Sequence, residues 1–516
     1  MKSQPRAGRL FAAVPAFALM AASMVIPAAL KAQDPPAGLG LDEAVELALR
    51  HDPNLRLQEA RLDSARGALL ISRGPFDPVV SSGLSETEVN EPLTESTVRQ
   101  QSLAGTTLGL RKKFRSGFGL EPGLELQRTD PGGPGGANVG TFSLTLRQPL
   151  LRGRGRTAVA APELSAERQV VAGELDLRQV TSERVLTVAT QYWLARAAVL
   201  NLGILQETED RARELLDTTR KLIDADVTPA AELVQVEANL AAKEAARIGG
   251  EQDLFEARQS LGREIGLDRP AIAALPLPSD GFPGLPSAEA PSVVEQDRFV
   301  AAALERRADL LAARERRTAA EILRRAGDNA LKPQLDLVVT PSYTGFVEGN
   351  GPGNFVSPLF RNIPGAAAEF GLTLAWPTSN SLARGQLAQL ESTREQTVLL
   401  EDLVAQQVSA DVPVALDAVA RQAQQLERAR DAVRLFEQAV INEEKKLRAG
   451  TSTLIDLISQ RDRLTSARQA EVAAQLNLAV ALLELRFQTG TLLPETTGGV
   501  DPGRLTTVPF QEGVTR

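Results

Sequence analysis

The chain has 516 residues, with 57 Lys and Arg against 65 Asp and Glu, a formal net charge of −8. That balance argues against a nucleic-acid partner. The absence of Cys and the single His exclude Cys/His metal sites, thiol chemistry and a lipid anchor on an N-terminal cysteine.

Residues 1–32 read as an export signal. Lys2, Arg6 and Arg9 form a basic start, Leu10 to Leu30 is uncharged, and Ala32 supplies a small residue before cleavage. Pro15 and Pro27 interrupt the apolar run, which favours a cleaved signal over a membrane anchor. No other stretch approaches ~18 apolar residues, so membrane insertion would need β-strands.

A first unit spans 33–266. Leu41 to about Arg73 keeps helical spacing through Leu41, Ala44, Val45, Leu47 and Ala48, and Gly74-Pro75 ends it. From Val79 to Gln148 the period becomes two: Phe142, Leu144 and Leu146 alternate with Ser143, Thr145 and Arg147. Four strands are expected, near 78–88, 99–114, 118–128 and 138–149. Arg115-Ser116-Gly117 joins the middle two; long, turn-rich links are expected around Asn90-Glu91-Pro92 and from Asp130 to Gly136. Short turns at one end and long loops at the other are the habit of outer-membrane barrels. Ala158 to Ile223 then reads as one long helix, followed by a tip at 224–229 and a return helix.

Residues 267–292 hold Pro270, Pro276, Pro278, Pro283, Pro286 and Pro291, the composition of a linker. A second unit at 293–490 repeats the order: a helix over Val294–Ala326, strands near 334–377, and a long helix from Ser381 to Arg448 with Pro413 inside it. A tip at 448–453 and a helix to about Gln488 complete it, and 491–516 is expected to be a flexible tail. At this tip Ala449, Gly450 and Thr451 break the periodicity, Ser452 and Thr453 are N-cap types, and Asp456 falls in the first turn of the next helix.

The units align. Leu49, Leu55, Ala65 and Pro78 match Leu304, Leu310, Ala320 and Pro333, each 255 residues on. Leu144, Thr145 and Leu146 match Leu372, Thr373 and Leu374, 228 on; at the tips Ala225, Glu232 and Leu233 match Ala449, Asp456 and Leu457, 224 on. The drop across the β region assigns the surplus of the first unit to the hairpin around Arg115-Ser116-Gly117. A 65-residue helix spans about 100 Å, and two helices of half that length match it end to end. Strands therefore lie at one end and tips at the other. Strands with apolar faces too far from the helices to be buried need copies of themselves, which implies a ring-shaped homo-oligomer sharing one barrel. The class-different reading is a soluble periplasmic coiled-coil scaffold or adaptor without a pore, with the strands as caps.

The duplicated helix openings (Leu41-Asp42-Glu43-Ala44-Val45 to Asn54-Leu55), the strand-to-helix passages Gln148-Pro149-Leu150 and Ala375-Trp376-Pro377, and the tips Ala449-Gly450-Thr451 and Ile455-Asp456-Leu457 resemble the TolC family of outer-membrane efflux and secretion channels. The resemblance covers nearly all of 40–490. It implies an α+β membrane protein: long helical hairpins forming a periplasmic tunnel, and strands contributing to a trimeric β-barrel in outer-membrane lipid. It further implies tips that close like an iris and dock a periplasmic adaptor, linked to an inner-membrane pump of RND, ABC or MFS type. The family's usual two strands per half give twelve in a trimer; six per chain would give eighteen.

Carried over by position, the family's first constriction acid falls on Asp456 and its second on Ser459. The partners of its closed-state latch fall on Leu447 and Ser452, and the acid they bond falls on Glu232, so the known latch is not reproduced. Asp226, Val227, Thr228, Gly450 and Thr451 are the candidate adaptor-docking residues. Asp456 and Glu232 each keep a second reading, as first-turn acids that stabilise a helix end. The run Arg152-Gly153-Arg154-Gly155-Arg156 reads either as a contact for phosphate-bearing headgroups or as a solvated turn. No Ser/His/Asp set or phosphate loop is present in sequence, and neither enzyme activity nor a cofactor is expected.

Overall fold

Pro53 sets the first local feature. Proline lacks an N–H and pushes the residue before it out of the helical region. Asp52 accordingly sits at φ −67°, ψ 119°, and its carboxylate accepts a 2.7 Å hydrogen bond from the Asn54 N–H. The expected single helix is therefore two, α1 (Leu41–His51) and α2 (Pro53–Arg73). This computed structural model describes residues 38–94, 97–131, 135–225, 229–285, 292–360 and 365–493. The expected signal segment and most of the tail lie outside the described residues.

Six strands follow the helices into one antiparallel sheet in sequential order: β1 (Val79–Thr94), β2 (Thr97–Lys113), β3 (Gly119–Asp130), β4 (Ala137–Pro149), β5 (Gln334–Glu348) and β6 (Ala366–Ala375). Four strands come from the first unit and two from the second. The expected link around Asn90-Glu91-Pro92 is instead part of β1. Pro92 is tolerated there because β1 is an edge strand, and the register shifts between Pro92 and Thr94. The turn between β2 and β3 is short, closed by Phe114 N–H to the Phe118 carbonyl at 2.8 Å.

Register separates two faces of the sheet. On one, Val80 pairs with Leu110, Leu108 with Leu124, Leu124 with Phe142, Phe142 with Tyr343, Val339 with Phe370 and Leu335 with Leu374. On the other, Gly109 pairs with Gly123, Gly123 with Ser143 and Ser143 with Ser342, and hydroxyl pairs Thr141–Thr344 and Thr145–Thr340 lie 3.3 Å apart. The apolar face is bare over much of its area, with Leu84 84% exposed, Phe370 74% and Trp376 68%, but the loop turns at Pro352–Phe355 and Ser357–Leu359 cover Gly140 and Gly345 at one end, where Leu126 and Val347 are buried. The outer edges of β1 and β6 pair with no other strand among the described residues.

A short helix α3 (Arg156–Val159) leads into α4 (Ala161–Asp224, 64 residues), and α5 (Ala231–Ile265) returns along it. At about 1.5 Å per residue α4 is about 96 Å long. The stretch expected to be only a linker folds onto the helices. It carries α6 (Arg269–Ala274) and a parallel bridge between Leu39 and Pro278. Tyr192 anchors it, donating to the Leu39 carbonyl at 2.8 Å and accepting from the Asp280 N–H at 3.2 Å, while Trp193 stacks on Phe282. Leu39, Val45, Val188, Leu261, Ile265 and Leu492 complete this core.

In the second unit the expected helix over Val294–Ala326 is again two, α7 (Val293–Arg306) and α8 (Ala308–Ala330). Arg307 breaks it at φ −64°, ψ 123°, 255 residues after Asp52 and without a proline. Then α9 (Ser381–Arg448) and α10 (Leu454–Gln488) form the second hairpin. Both return helices stop at a left-handed glycine beside a break: Gly266 (φ 84°) against His51 and Gly490 (φ 70°) against Arg306 and Arg307. No described helix is long and apolar enough to cross a membrane.

Candidate functional site: the hairpin tips

At the second tip α9 ends in a tight reversal. Gly450 adopts φ 74°, and the N–H groups of Gly450 and Thr451 close on the carbonyls of Leu447 and Lys446, each at 3.0 Å. Thr451 adds its hydroxyl to the Lys446 carbonyl at 3.2 Å. Thr453 then caps α10. Its hydroxyl accepts from the Asp456 N–H at 3.2 Å, and the Asp456 carboxylate accepts from the Thr453 hydroxyl at 2.7 Å and N–H at 3.3 Å. The Thr453 hydroxyl and N–H hold the Asp456 carboxyl below its usual pKa, with Lys446 contributing. Asp456 is exposed and Ser459 half-buried. Ser459 lines a groove between α9 and α10 with Ala432, Phe436, Ile455 and Arg463.

The positions that the resemblance assigns to a latch do different work. The Ser452 hydroxyl donates to Glu443 one turn back on its own hairpin, and Lys446 reaches the same carboxylate at 3.0 Å. These two bonds, the Ser452 one foremost, lower the Glu443 pKa. Leu447 is a packing residue shared by two apolar clusters, one with Leu215, Leu216, Val236 and Leu454, the other with Val440, Leu457 and Leu464. At the first tip the Glu232 N–H bonds the Pro229 carbonyl at 3.1 Å. Asp226, Val227 and Thr228 lie outside the described residues.

What joins the two hairpins lies deeper. Lys243 of α5 meets Asp462 of α10 at 2.6 Å. The hydroxyls of Thr208 (α4) and Thr465 (α10) are 3.2 Å apart, and Arg468 of α10 reaches Glu207 of α4 at 2.9 Å and Glu437 of α9 at 2.9 Å. Leu454 inserts between α4 and α5 onto Leu215, Leu216 and Val236. Sequence reasoning missed Lys243, Asp462, Arg468 and Glu443, because periodicity does not say which helices face one another. The one signal in the sequence was at 443, where an acid stands at the position that Thr219 holds in the first unit, 224 residues earlier. Among the described residues no group of three or more His, Asp or Glu is placed to hold a metal ion.

Comparison with known proteins decides what this architecture is. The sequence profile of the outer membrane efflux protein family matches residues 44–267 and 300–491. The chain belongs to the outer membrane efflux protein family. The fold is that of several solved outer-membrane proteins. The outer membrane protein VceC from Vibrio cholerae aligns with TM-score 0.61 at 17% identity, over 87% of this chain and 96% of that one. The Campylobacter jejuni CmeC outer membrane channel aligns with TM-score 0.60 at 14% identity, over 87% and 85%. The Neisseria gonorrhoeae MtrE outer membrane channel aligns with TM-score 0.58 at 16% identity, over 87% and 88%. No curated protein sequence matches. The efflux protein is thus an outer-membrane channel component, with the helical hairpins and the antiparallel sheet of TolC-like channels. The soluble scaffold without a pore is not favoured. The family and these structural relatives are channel proteins, and the related channels reside in the outer membrane.

Proposed function

We propose that this efflux protein is the passive exit duct of a tripartite efflux pump or type I secretion system, gated at its hairpin tips. The observation that carries the reading is the six-stranded sheet with a largely uncovered apolar face, a Ser/Thr/Gly face and two outer edges that pair with no described strand. Exposed sheet edges and uncovered apolar strands are stable only when other strands and lipid cover them. Three copies, β6 of one beside β1 of the next, would close an eighteen-stranded barrel in the outer membrane. Residues 1–32 would direct export and be removed, and the helices would form a tunnel across the periplasm.

In this reading the duct does no chemistry. Gly450 and Thr451, with Asp226, Val227 and Thr228 of the first tip, form the docking ends for a periplasmic adaptor, itself engaged with an inner-membrane pump of RND, ABC or MFS type. Docking shifts the tips from closed to open. Extraction tests the framework: the mature protein should stay in the outer-membrane fraction through urea, require detergent, and migrate as a heat-modifiable trimer. A soluble monomer without detergent would end the reading.

Asp456, one copy per protomer, would gather carboxylates at the narrowest point and favour cations, with Glu232 contributing from the first tip and Ser459 leaving a second ring without charge. Asp456→Asn combined with Glu232→Gln should weaken block of single-channel conductance by divalent cations. Unchanged block would return both acids to helix capping alone.

A further inference from the structure

The end of the sheet away from the helices carries a seat cut for its own loop. Gly140 of β4 and Gly345 of β5 are cross-strand partners, two residues beyond the Phe142–Tyr343 pair and so on the same apolar face. A Cβ at Gly345 would collide with the Pro358 carbonyl oxygen, and one at Gly140 would lie 3.1 Å from the Pro358 Cβ and 3.2 Å from Leu359. Pro358 is buried there. Glycine in a strand interior permits this close approach of another backbone. Residues 349–360 therefore pack on the apolar face, and not on the Ser/Thr/Gly face that would line the pore.

Polar groups of this loop are met from below and within. Asn138, fully buried, donates to the Val347 carbonyl at 3.2 Å and to the Gly349 carbonyl at 2.8 Å. Arg128 donates to the Asn138 side-chain oxygen at 2.8 Å and to the Gly351 carbonyl at 2.9 Å, and its guanidinium lies 5.3 Å from the Phe355 ring. The N–H groups of Asn354, Leu359 and Phe360 close on the carbonyls of Gly351, Val356 and Ser357 within the two turns. Irregular backbone can approach hydrocarbon only when its polar groups are satisfied in this way. What the loop turns outward is apolar: Phe360 is 83% exposed, and Val356 is exposed beside it.

Depth decides what that surface meets. Leu335, paired with Leu374, marks the inner end of the apolar face, next to Trp376. From Leu335 to Gly345 the strand runs about 33 Å at about 3.3 Å per residue, or about 25 Å along the axis of a barrel with strands tilted about 40°. That is the height of the apolar band of an outer-membrane barrel, which aromatic residues border at both interfaces. At the outer border these strands supply none: beyond the Phe142–Tyr343 row this face carries Gly140, Asn138, Gly345, Val347, Leu126 and Arg128. We propose that the loop between β5 and β6 supplies the outer girdle that the strands lack. Val356 and Phe360 enter the acyl-chain boundary of the outer leaflet, and the loop braces the wall from the lipid side. The proposal rests on the outer-membrane barrel reading above.

Spin-label depth measurements test it in the full-length protein, which has no native cysteine. Phe360→Cys, Phe370→Cys and Thr94→Cys each take a nitroxide, and the purified protein is reconstituted into vesicles of phosphatidylethanolamine and phosphatidylglycerol. The label at 370, on the apolar face of β6, should be relaxed by oxygen and shielded from a water-soluble nickel chelate. The label at 94, at the outer end of β1, should show the reverse. The label at 360 should follow 370; one that follows 94 overturns the proposal. A label at 370 that meets the nickel chelate overturns the barrel reading itself, and the proposal with it. Gly345→Val, combined in turn with each label, fills the seat: the 360 label should shift towards the nickel chelate while the 370 label stays in lipid. A 360 label that does not shift overturns the bracing by the glycine seat. If Gly345→Val prevents assembly, the comparison of the three single labels decides alone.

Discussion

The two helix breaks at mid-length meet one geometric problem with opposite charges. Asp52, 1% exposed, is held by Arg184 of α4, which also bonds Glu264 of α5 at 2.8 Å. At the matched position Arg307 bonds Asp309 at 2.6 Å and Gln488 of α10 at 2.5 Å, and its guanidinium lies 5.7 Å from the Phe487 ring. Gln488 is itself the match of Glu264, 224 residues on. The backbone kept its break and its left-handed glycine in both halves, while the charges around them were rewritten. Duplication preserves what main-chain geometry requires; side-chain partners are free to diverge as long as each buried polar group still finds one.

The largest expected effect separates these two solutions. Arg184→Ala leaves the buried Asp52 carboxylate without its counter-charge and should cost about 3–5 kcal/mol. Arg307→Ala should cost about 2 kcal/mol, because its main partner Asp309 is 26% exposed and can recover water. Urea unfolding of the helical region, followed by circular dichroism, ranks the two. Equal losses would mean that burial of the partner does not set the difference.

A smaller effect probes the shared backbone. A Cβ added at Gly490 would lie 3.1 Å from main-chain atoms of Arg306 and Arg307, whereas at Gly266 the nearest atoms are 3.4 Å away. Both positions carry the left-handed penalty, about 1–2 kcal/mol for a residue with a side chain. Gly490→Ala should therefore lower the thermal midpoint more than Gly266→Ala. A reversed order would show that the first-unit break is the tighter of the two.

Much of this fold was legible because it is periodic. Period-two alternation and the offset drop from 255 to 228 located the strands and placed the surplus hairpin in the first unit, which is how one sheet comes to hold four strands from one half and two from the other. The tips were legible from Gly450 and the cap residues after it. Neither helix break was legible from periodicity: the spacing runs unbroken through Pro53, and no proline marks Arg307. Pro92 suggested a loop, yet an edge strand accommodates it. The polar links Lys243–Asp462 and Arg468–Glu207 depend on how the hairpins are rotated against each other, a quantity no single helix's periodicity contains. Ser452 was placed in a latch by position alone, and its bond to Glu443 needed the folded turn.

The smallest effect asks whether the two tips respond alike to acid. At the second tip Glu443 and Asp456 both have pKa values lowered from their ordinary 4.5 and 3.8. Ser452 and then Lys446 stabilise the Glu443 carboxylate, Asp456 opposes it by like charge, and Thr453 stabilises Asp456. For a carboxyl whose folded pKa lies below its unfolded one, the stabilisation is complete above the unfolded value and is lost as pH falls through the folded value. Loosening of the second tip should therefore begin below about pH 4.5 and continue below about 3.8. At the first tip Thr219 stands at the position of Glu443, buried, its hydroxyl on the Leu215 carbonyl at 2.8 Å, and it does not titrate. Amide hydrogen exchange at stepped pH, corrected for intrinsic rates, should show protection lost at 443–457 before 219–233. Ser452→Ala removes the first cause of the Glu443 shift, so less stabilisation remains to be lost and the acid response of 443–457 should shrink. If both tips lose protection together, the acid response comes from the assembly as a whole and Glu443 is an ordinary buried acid.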